Sequence, residues 1–254
     1  MKAVDVLEKL IAYSPVRRTQ TVDTIKYGDG SQAARRIAFC FTATPNVLKQ
    51  AKEWGADVIV THEPTYYDHF DNRAQNELTN KKFEAVTDCN AVIMRYHDHM
   101  HACAPDLIHK AFIQKVGLNG VYDGERAMCL DSALTVSEIA GLIKKALGLD
   151  RVQIIGKKDM TVKNIALCLG ACGDACQNAA LDGAELVIAG EISEWRTGEQ
   201  FRDMSEFGMN KCIMLIGHCT SEKMGMQYLA ERFAAENRDV ECRYIDCGDI
   251  YTCI

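Results

Sequence analysis

The sequence predicts an α/β fold arranged as two lobes with mixed sheets. Three observations carry this expectation. Short apolar runs alternate with amphipathic helical runs along the whole chain, the pattern of strands joined by helices. The chain has 254 residues, enough for one large or two modest cores. Its balance of 48% hydrophobic and 25% charged residues is that of a globular protein.

The elements follow in order. Val4 to Ala12 reads as an opening amphipathic helix, and Ile37 to Thr42 as a strand. Thr44-Pro45 then supplies a helix cap and a first helical residue, with the helix running to Trp54 and ending at Gly55-Ala56. Asp57 to Val60 is a short buried strand leading into Thr61-His62-Glu63-Pro64. A helix over Asn80 to Thr87 precedes a strand at 91–96, and Ala104 to Val116 is helical, closed by Gly117. Gly117, Gly120 and Gly124 mark a seam near Asn119 to Asp123. Beyond it, Cys129–Leu130 reads as a strand, and Thr135-Val136-Ser137-Glu138 is a capping box opening a helix to Leu147. Strands are expected at 152–155, 165–169, 186–189, 212–216 and 240–245, and helices at 175–181 and 221–237. The expected lobes are 1–122 with 210–254, and 123–209.

Composition narrows the function. A formal charge of −6 offers no basic excess to neutralise phosphates, so nucleic-acid binding is not expected. The first residues carry charges where a secretion signal needs an apolar stretch, and no run approaches the ~20 apolar residues of a membrane span. The expectation is a cytoplasmic protein without membrane contact. Its twelve cysteines are then thiols, most of them small hydrophobes inside apolar strands.

The chemistry gathers at strand ends. The strand at 57–60 delivers His62 and Glu63. The strand at 91–96 delivers His97, Asp98, His99 and His101. The strand at 212–216 delivers His218 and, four residues on, Glu222. Five of the seven histidines lie in these stretches, with only His69 and His109 outside. Sites in open α/β sheets form at the C-terminal ends of strands, so a metal cleft is expected there. Imidazole and carboxylate donors suit Zn, Fe or Mn, and more than four candidates suggest two ions. His218 and Glu222 share a face if a helix starts near Cys219. His62 and Glu63 are adjacent, and in an extended strand they would point opposite ways unless Pro64 forces a turn.

The order His-x-Pro at 62–64, His-x-x-x-ligand at 97–101, Gly-Glu at 190–191 and Gly-His-x-x-x-Glu at 217–222 resembles the NGG-interacting factor 3-like family. Members of that family are often labelled GTP cyclohydrolase 1 type 2 homologues. Its usual motifs are His-His-Pro, His-Thr-Asn-Leu-Asp, Thr-Gly-Glu and Gly-His-x-x-x-Glu. The likeness runs from the opening Val-Asp-Val-Leu-Glu to the last strand. The resemblance implies a metal set of His62, Glu63, His101, His218 and Glu222. Glu63 stands where the family has a second histidine, and His101 where it has a bridging aspartate. The set is still three histidines and two carboxylates, so a rearranged site is implied, with Glu63 or Glu222 as the bridge.

Glu63 and His97 are the expected catalytic residues, Glu63 as general base and His97 touching substrate or orienting a ligand. His99 is expected to pack rather than ligate, and Asp98 stands open as a recruited ligand. Cys168, Cys172 and Cys176, spaced by four, suit close packing better than a metal. Glu191 lines the site or lies on the surface, and Tyr66, Tyr67 and Tyr96 shape a pocket or pack. The expected function is a dinuclear metal-dependent hydrolase acting on a small molecule through an activated water. The alternative is a non-catalytic metal-binding scaffold or regulatory protein. The resemblance further implies a homohexamer.

Overall fold

A computed structural model describes residues 1–252. In chain order its elements are α1 (Ala3–Ile11), β1 (Ile25–Tyr27), β2 (Arg36–Cys40), α2 (Pro45–Trp54), β3 (Val58–Thr61), α3 (Glu77–Cys89), β4 (Val92–Arg95), α4 (Asp98–His101) and α5 (Leu107–Val116). Then come β5 (Gly120–Tyr122), β6 (Ala127–Thr135), α6 (Val136–Leu147), β7 (Gln153–Ile155), β8 (Thr161–Cys168), α7 (Ala175–Leu181) and β9 (Leu186–Ala189). A π-helical turn at Glu194–Gly198 leads into α8 (Glu199–Glu206), β10 (Cys212–Leu215), α9 (His218–Glu236) and β11 (Glu241–Tyr244).

The chain forms two compact units: Met1–Leu107 with residues 225–252, and Ile108–Met224. The first holds a five-stranded sheet of order β1-β4-β3-β2-β11. Strands β4, β3, β2 and β11 run parallel, and β1 is antiparallel to β4. β3 and β4 are buried along their whole length, as expected of parallel strands covered on both faces. Val47, Leu48 and Ala51 of α2 and Val86 of α3 pack on Ala38, Ile59 and Ile93 of the sheet.

Local signals set the helix ends. Thr44 Oγ1 accepts the Val47 N–H at 3.2 Å, Pro45 takes the first turn, and Gly55 closes α2 at φ 76°. Glycine is favoured there because a Cβ strains the left-handed region. Asn76 caps α3 through the Thr79 N–H at 2.9 Å, so that helix begins three residues before its expected start.

The second unit holds a six-stranded sheet of order β5-β6-β8-β9-β10-β7. β8, β9 and β10 are parallel, while β5, β6 and β7 pair antiparallel. Both sheets are therefore mixed. The capping box of α6 forms as read, with Thr135 and Glu138 exchanging bonds. Cys176, Ala180, Phe201 and Met204 of α7 and α8 cover Ala166, Val187 and Ile213.

Several elements differ from the sequence reading. The glycine cluster near 120 is not a seam but β5, an edge strand on β6, and the first unit ends at Leu107. Cys212–Leu215 pairs with β9 and β7, so it belongs to the second sheet, and the chain returns to the first unit at Gly225 inside α9. β1, the π-helical turn and α8 carry too short or too polar a pattern to be expected. Residues 98–101, to which the sequence reading assigns no element, form one helical turn. Among the described residues no helix is long and apolar enough to cross a membrane. Eleven described cysteines are free thiols.

Candidate metal centre

β3 and β4 run parallel with Thr61 beside Arg95, so the residues after them emerge together. Thr61 Oγ1 bonds to the Phe41 and Glu63 carbonyls at 3.1 and 3.0 Å. The Glu63 N–H donates to Phe41 O at 2.9 Å. This turn breaks the alternation of the extended strand. One ligand atom of Glu63 lies within 4.8 Å of one of His62.

His62, His97 and His101 converge, with one ring nitrogen of each within 4.8 Å of those of the other two. The His62 and His97 rings stack at 4.6 Å between centroids, and His101 stands edge-on to them at 5.1 and 4.9 Å. In all three rings Nδ1 faces an oxygen acceptor. His62 Nδ1 lies 3.1 Å from the Tyr96 carbonyl, His97 Nδ1 3.0 Å from Asp98 Oδ1, and His101 Nδ1 2.9 Å from Asp106 Oδ2. A carbonyl or carboxylate only accepts, so Nδ1 carries the proton in each ring. Nε2 is then the nitrogen that offers a lone pair.

The rings are also held neutral. Burial, with the neighbouring His97 and His101, pushes His62 well below the usual histidine range. Burial and then His101 bring His97 down to about 4, against the pull of Asp98. Metal ligation requires neutral imidazole, and carboxylate or carbonyl partners behind the ring are the usual support of a metal-bound histidine. The donor set fits a borderline divalent ion.

α4 owes its position to Asp23. This carboxylate, 2% exposed, accepts the backbone N–H groups of His97 at 2.6 Å, Asp98 at 3.1 Å and His99 at 2.8 Å. It also takes the His99 ring Nδ1–H at 2.6 Å, while His99 Nε2 accepts the Arg18 N–H at 3.0 Å. With both nitrogens used, His99 packs as expected and is no ligand. Asp98 likewise turns to the 21–22 segment, accepting from Thr21 Oγ1 at 2.9 Å and the Val22 N–H at 3.0 Å. Burial raises its pKa, but the Val22 N–H, His97 and Thr21 outweigh that and hold the carboxyl at about 2.

Within the second unit, His218 opens α9 and its Nε2 lies 3.0 Å from Glu222 Oε2, the i,i+4 pairing read from the sequence. His218 Nδ1 is 3.2 Å from Glu191 Oε1, so Glu191 reaches the histidine. β8 and β9 end side by side and lead into Gly170 and Gly190. Gly170 donates its N–H to Ser221 Oγ at 2.9 Å. Gly170 has φ +73°, and a Cβ there would stand 2.4 Å from Glu222 Oε1. Gly170→Ala is therefore expected to cost about 2–4 kcal/mol and to push Glu222 off His218. Thermal unfolding measures the first effect and the ¹⁵N shift of His218 Nε2 the second; a normal melting point with an unmoved shift would show that the loop yields freely.

Cys168, Cys172 and Cys176 pack rather than ligate. Cys172 Sγ donates to the Leu169 carbonyl at 3.0 Å, and the neighbouring Cys168 thiol with burial pushes Cys172 up. Tyr66 and Tyr96 are core residues, whereas Tyr67 is exposed. His69 is exposed and stands edge-on to His97 at 5.9 Å. His109 bonds to Tyr122 Oη and the Glu125 carbonyl, at 2.7 and 2.9 Å.

Residues 1–249 match the Duf34/NIF3 (NGG1p interacting factor 3) family. The chain is a member of the NIF3 family. A GTP cyclohydrolase 1 type 2 homolog of Clostridium perfringens is 27% identical over 235 residues, 87% of each chain. A hypothetical protein of Staphylococcus aureus shares the fold with a TM-score of 0.82 at 15% identity, covering 100% of this chain and 99% of the other. A Bacillus cereus protein related to NIF3 does so at 0.78 and 13%, with the same coverage. Such identities speak for the fold alone.

The structure brings ring nitrogens of His62, His97 and His101 within 4.8 Å of one another, and separately a Glu63 oxygen within 4.8 Å of a His62 nitrogen. It places His97 in the triad on equal terms with the other two histidines. Asp23, Arg95 and Asp106 escaped sequence reasoning, because nothing around them in the chain distinguishes them from ordinary polar residues. A separate cavity of about 800 Å³ in the second unit, between β6 and α7, carries none of the candidate ligands.

Proposed function

We propose that this chain is a metal-dependent hydrolase of a small molecule, with one divalent ion (Zn, Fe or Mn) on Nε2 of His62, His97 and His101. The observation that supports it most is the shared hydrogen-bond scheme, in which Tyr96, Asp98 and Asp106 each engage Nδ1 and leave Nε2 as the donor nitrogen. Three neutral imidazoles crowded this closely have no evident purpose in a core.

The motif Gly-His-x-x-x-Glu supports His218 and Glu222 as ligands of a second ion, making the centre dinuclear. A divalent ion supplies Lewis acidity there, lowering the pKa of a water and polarising a carbonyl, imine or phosphoryl group. Glu63, partly exposed and 3.8 Å from His97 Nε2, would serve as the general base of this site. His97 thereby moves from a substrate-orienting role to a ligand in this reading. Homohexameric assembly comes with it from the family resemblance, and the cytoplasmic location is the one expected from composition.

Elemental analysis tests this directly, on protein grown with ample metal and purified without chelator. Two ions per chain are expected in wild type and one in His218→Ala. A wild-type protein with no metal above background would overturn the hydrolase reading and favour a scaffold.

A further inference from the structure

Resting on the metal reading above, we propose that Glu63 is a displaceable ligand and that the buried guanidinium of Arg95 is the group that receives it when it leaves. Arg95 is fully buried at the end of β4. Its Nε donates to the His62 carbonyl at 2.9 Å, and Nη1 donates to the His69 carbonyl. Nη2 is buried and makes no hydrogen bond among the described residues. The carboxylate beside it is that of Glu63, with Oε2 at 3.9 Å. The other oxygen of the same carboxylate, Oε1, is 3.8 Å from His97 Nε2.

Glu63 thus stands midway between the imidazole cluster and the guanidinium, at hydrogen-bond length from neither of these two atoms. Its side chain is 21% exposed, so it has room to turn. A movement of about an ångström closes the Arg95 bond, since charged N–H···O pairs settle near 2.8 Å. The opposite movement brings an oxygen toward the atom that the three Nε2 nitrogens hold. A histidine, the residue the family pattern has at this position, brings no charge to offset the guanidinium. The pairing therefore belongs with this chain's departure from that pattern.

Two states follow. With Glu63 on the metal, three imidazoles and one carboxylate close a four-ligand set, the arrangement of a structural site. With Glu63 on Arg95, one position opens to an oxygen donor of the substrate: a carboxylate, carbonyl or phosphoryl oxygen. The buried guanidinium makes the second state stable by receiving the carboxylate that has left.

The test uses the full chain loaded with Co²⁺, whose visible absorption reports coordination number, and inorganic phosphate as the oxygen-donor probe. Phosphate is expected to shift the wild-type spectrum as it replaces Glu63. In Arg95→Met its affinity is expected to fall about tenfold, because the buried cation that receives the Glu63 carboxylate is gone. In Glu63→Gln the phosphate-free spectrum should already show the more open site, and phosphate should bind about tenfold tighter. Should Arg95→Met fail to fold, Glu63→Gln decides alone. A Glu63→Gln spectrum and phosphate affinity equal to wild type would overturn the proposal, as would unchanged phosphate affinity in a folded Arg95→Met. Failure of wild type to bind Co²⁺ would instead overturn the metal reading itself, so the two failures are distinct.

Discussion

Asp23→Ala is expected to destabilise the chain by about 3–5 kcal/mol and to remove its metal affinity, although the Asp23 carboxylate touches no Nε2 of the triad. The substitution leaves three backbone N–H groups and the His99 Nδ1–H without the acceptor they share at 2.6–3.1 Å. The two His99 donors are buried, and a buried donor left without an acceptor costs the full desolvation of that group. α4 is only one turn long, so it has no helical cooperativity of its own to fall back on. Asp23→Asn keeps one acceptor oxygen and is expected to fall between. Thermal unfolding with and without Zn²⁺ measures the effect, at roughly 10 °C for the alanine variant. A loss below about 1 kcal/mol with normal Zn²⁺ affinity would mean that the 97–101 turn is held from elsewhere.

Single alanine substitutions at His62, His97 and His101 are each expected to weaken Zn²⁺ binding more than loss of an outer partner does, which costs roughly 10–100-fold. The reason is the equivalence of the three rings. Each has its Nδ1 proton committed to Tyr96, Asp98 or Asp106, and each brings a ring nitrogen within 4.8 Å of the others. Asp106→Asn is expected to cost the smaller amount, because it turns the His101 ring without removing it. His109→Ala serves as the control, since that ring is engaged by Tyr122 and Glu125. Competition with a coloured chelator reads all of these. Wild-type affinity in His97→Ala would return His97 to the orienting role first expected from the sequence, with Glu63 in its place as ligand.

Part of the site could be read without coordinates. The candidate ligands cluster at the ends of apolar runs, and that pattern is local: His62 follows a buried strand, His97 follows another, and Gly217-His218 follows a third. Which ring nitrogen His97 presents was harder to read, because Asp98 engages its Nδ1 only once α4 has formed. The turn at Thr61–Glu63 was visible as Pro64 but not as the Thr61 hydroxyl bonds that make it. Asp23 was invisible, being an ordinary polar residue 74 to 76 positions from the groups it holds.

The sequence by itself determined the alternation of strands and helices, the caps at Thr44 and Thr135, and the motif order that marks a NIF3 family member. These are properties of neighbouring residues: apolar period, cap chemistry and spacing act over a few positions. The tertiary structure alone decided which nitrogen each imidazole presents, that His99 and Asp98 serve the 18–23 segment, and that Arg95 lies buried beside Glu63. Those outcomes depend on the parallel register of β3 and β4 and on hydrogen bonds between distant segments. Direction and burial of that kind exist only after the sheet has formed.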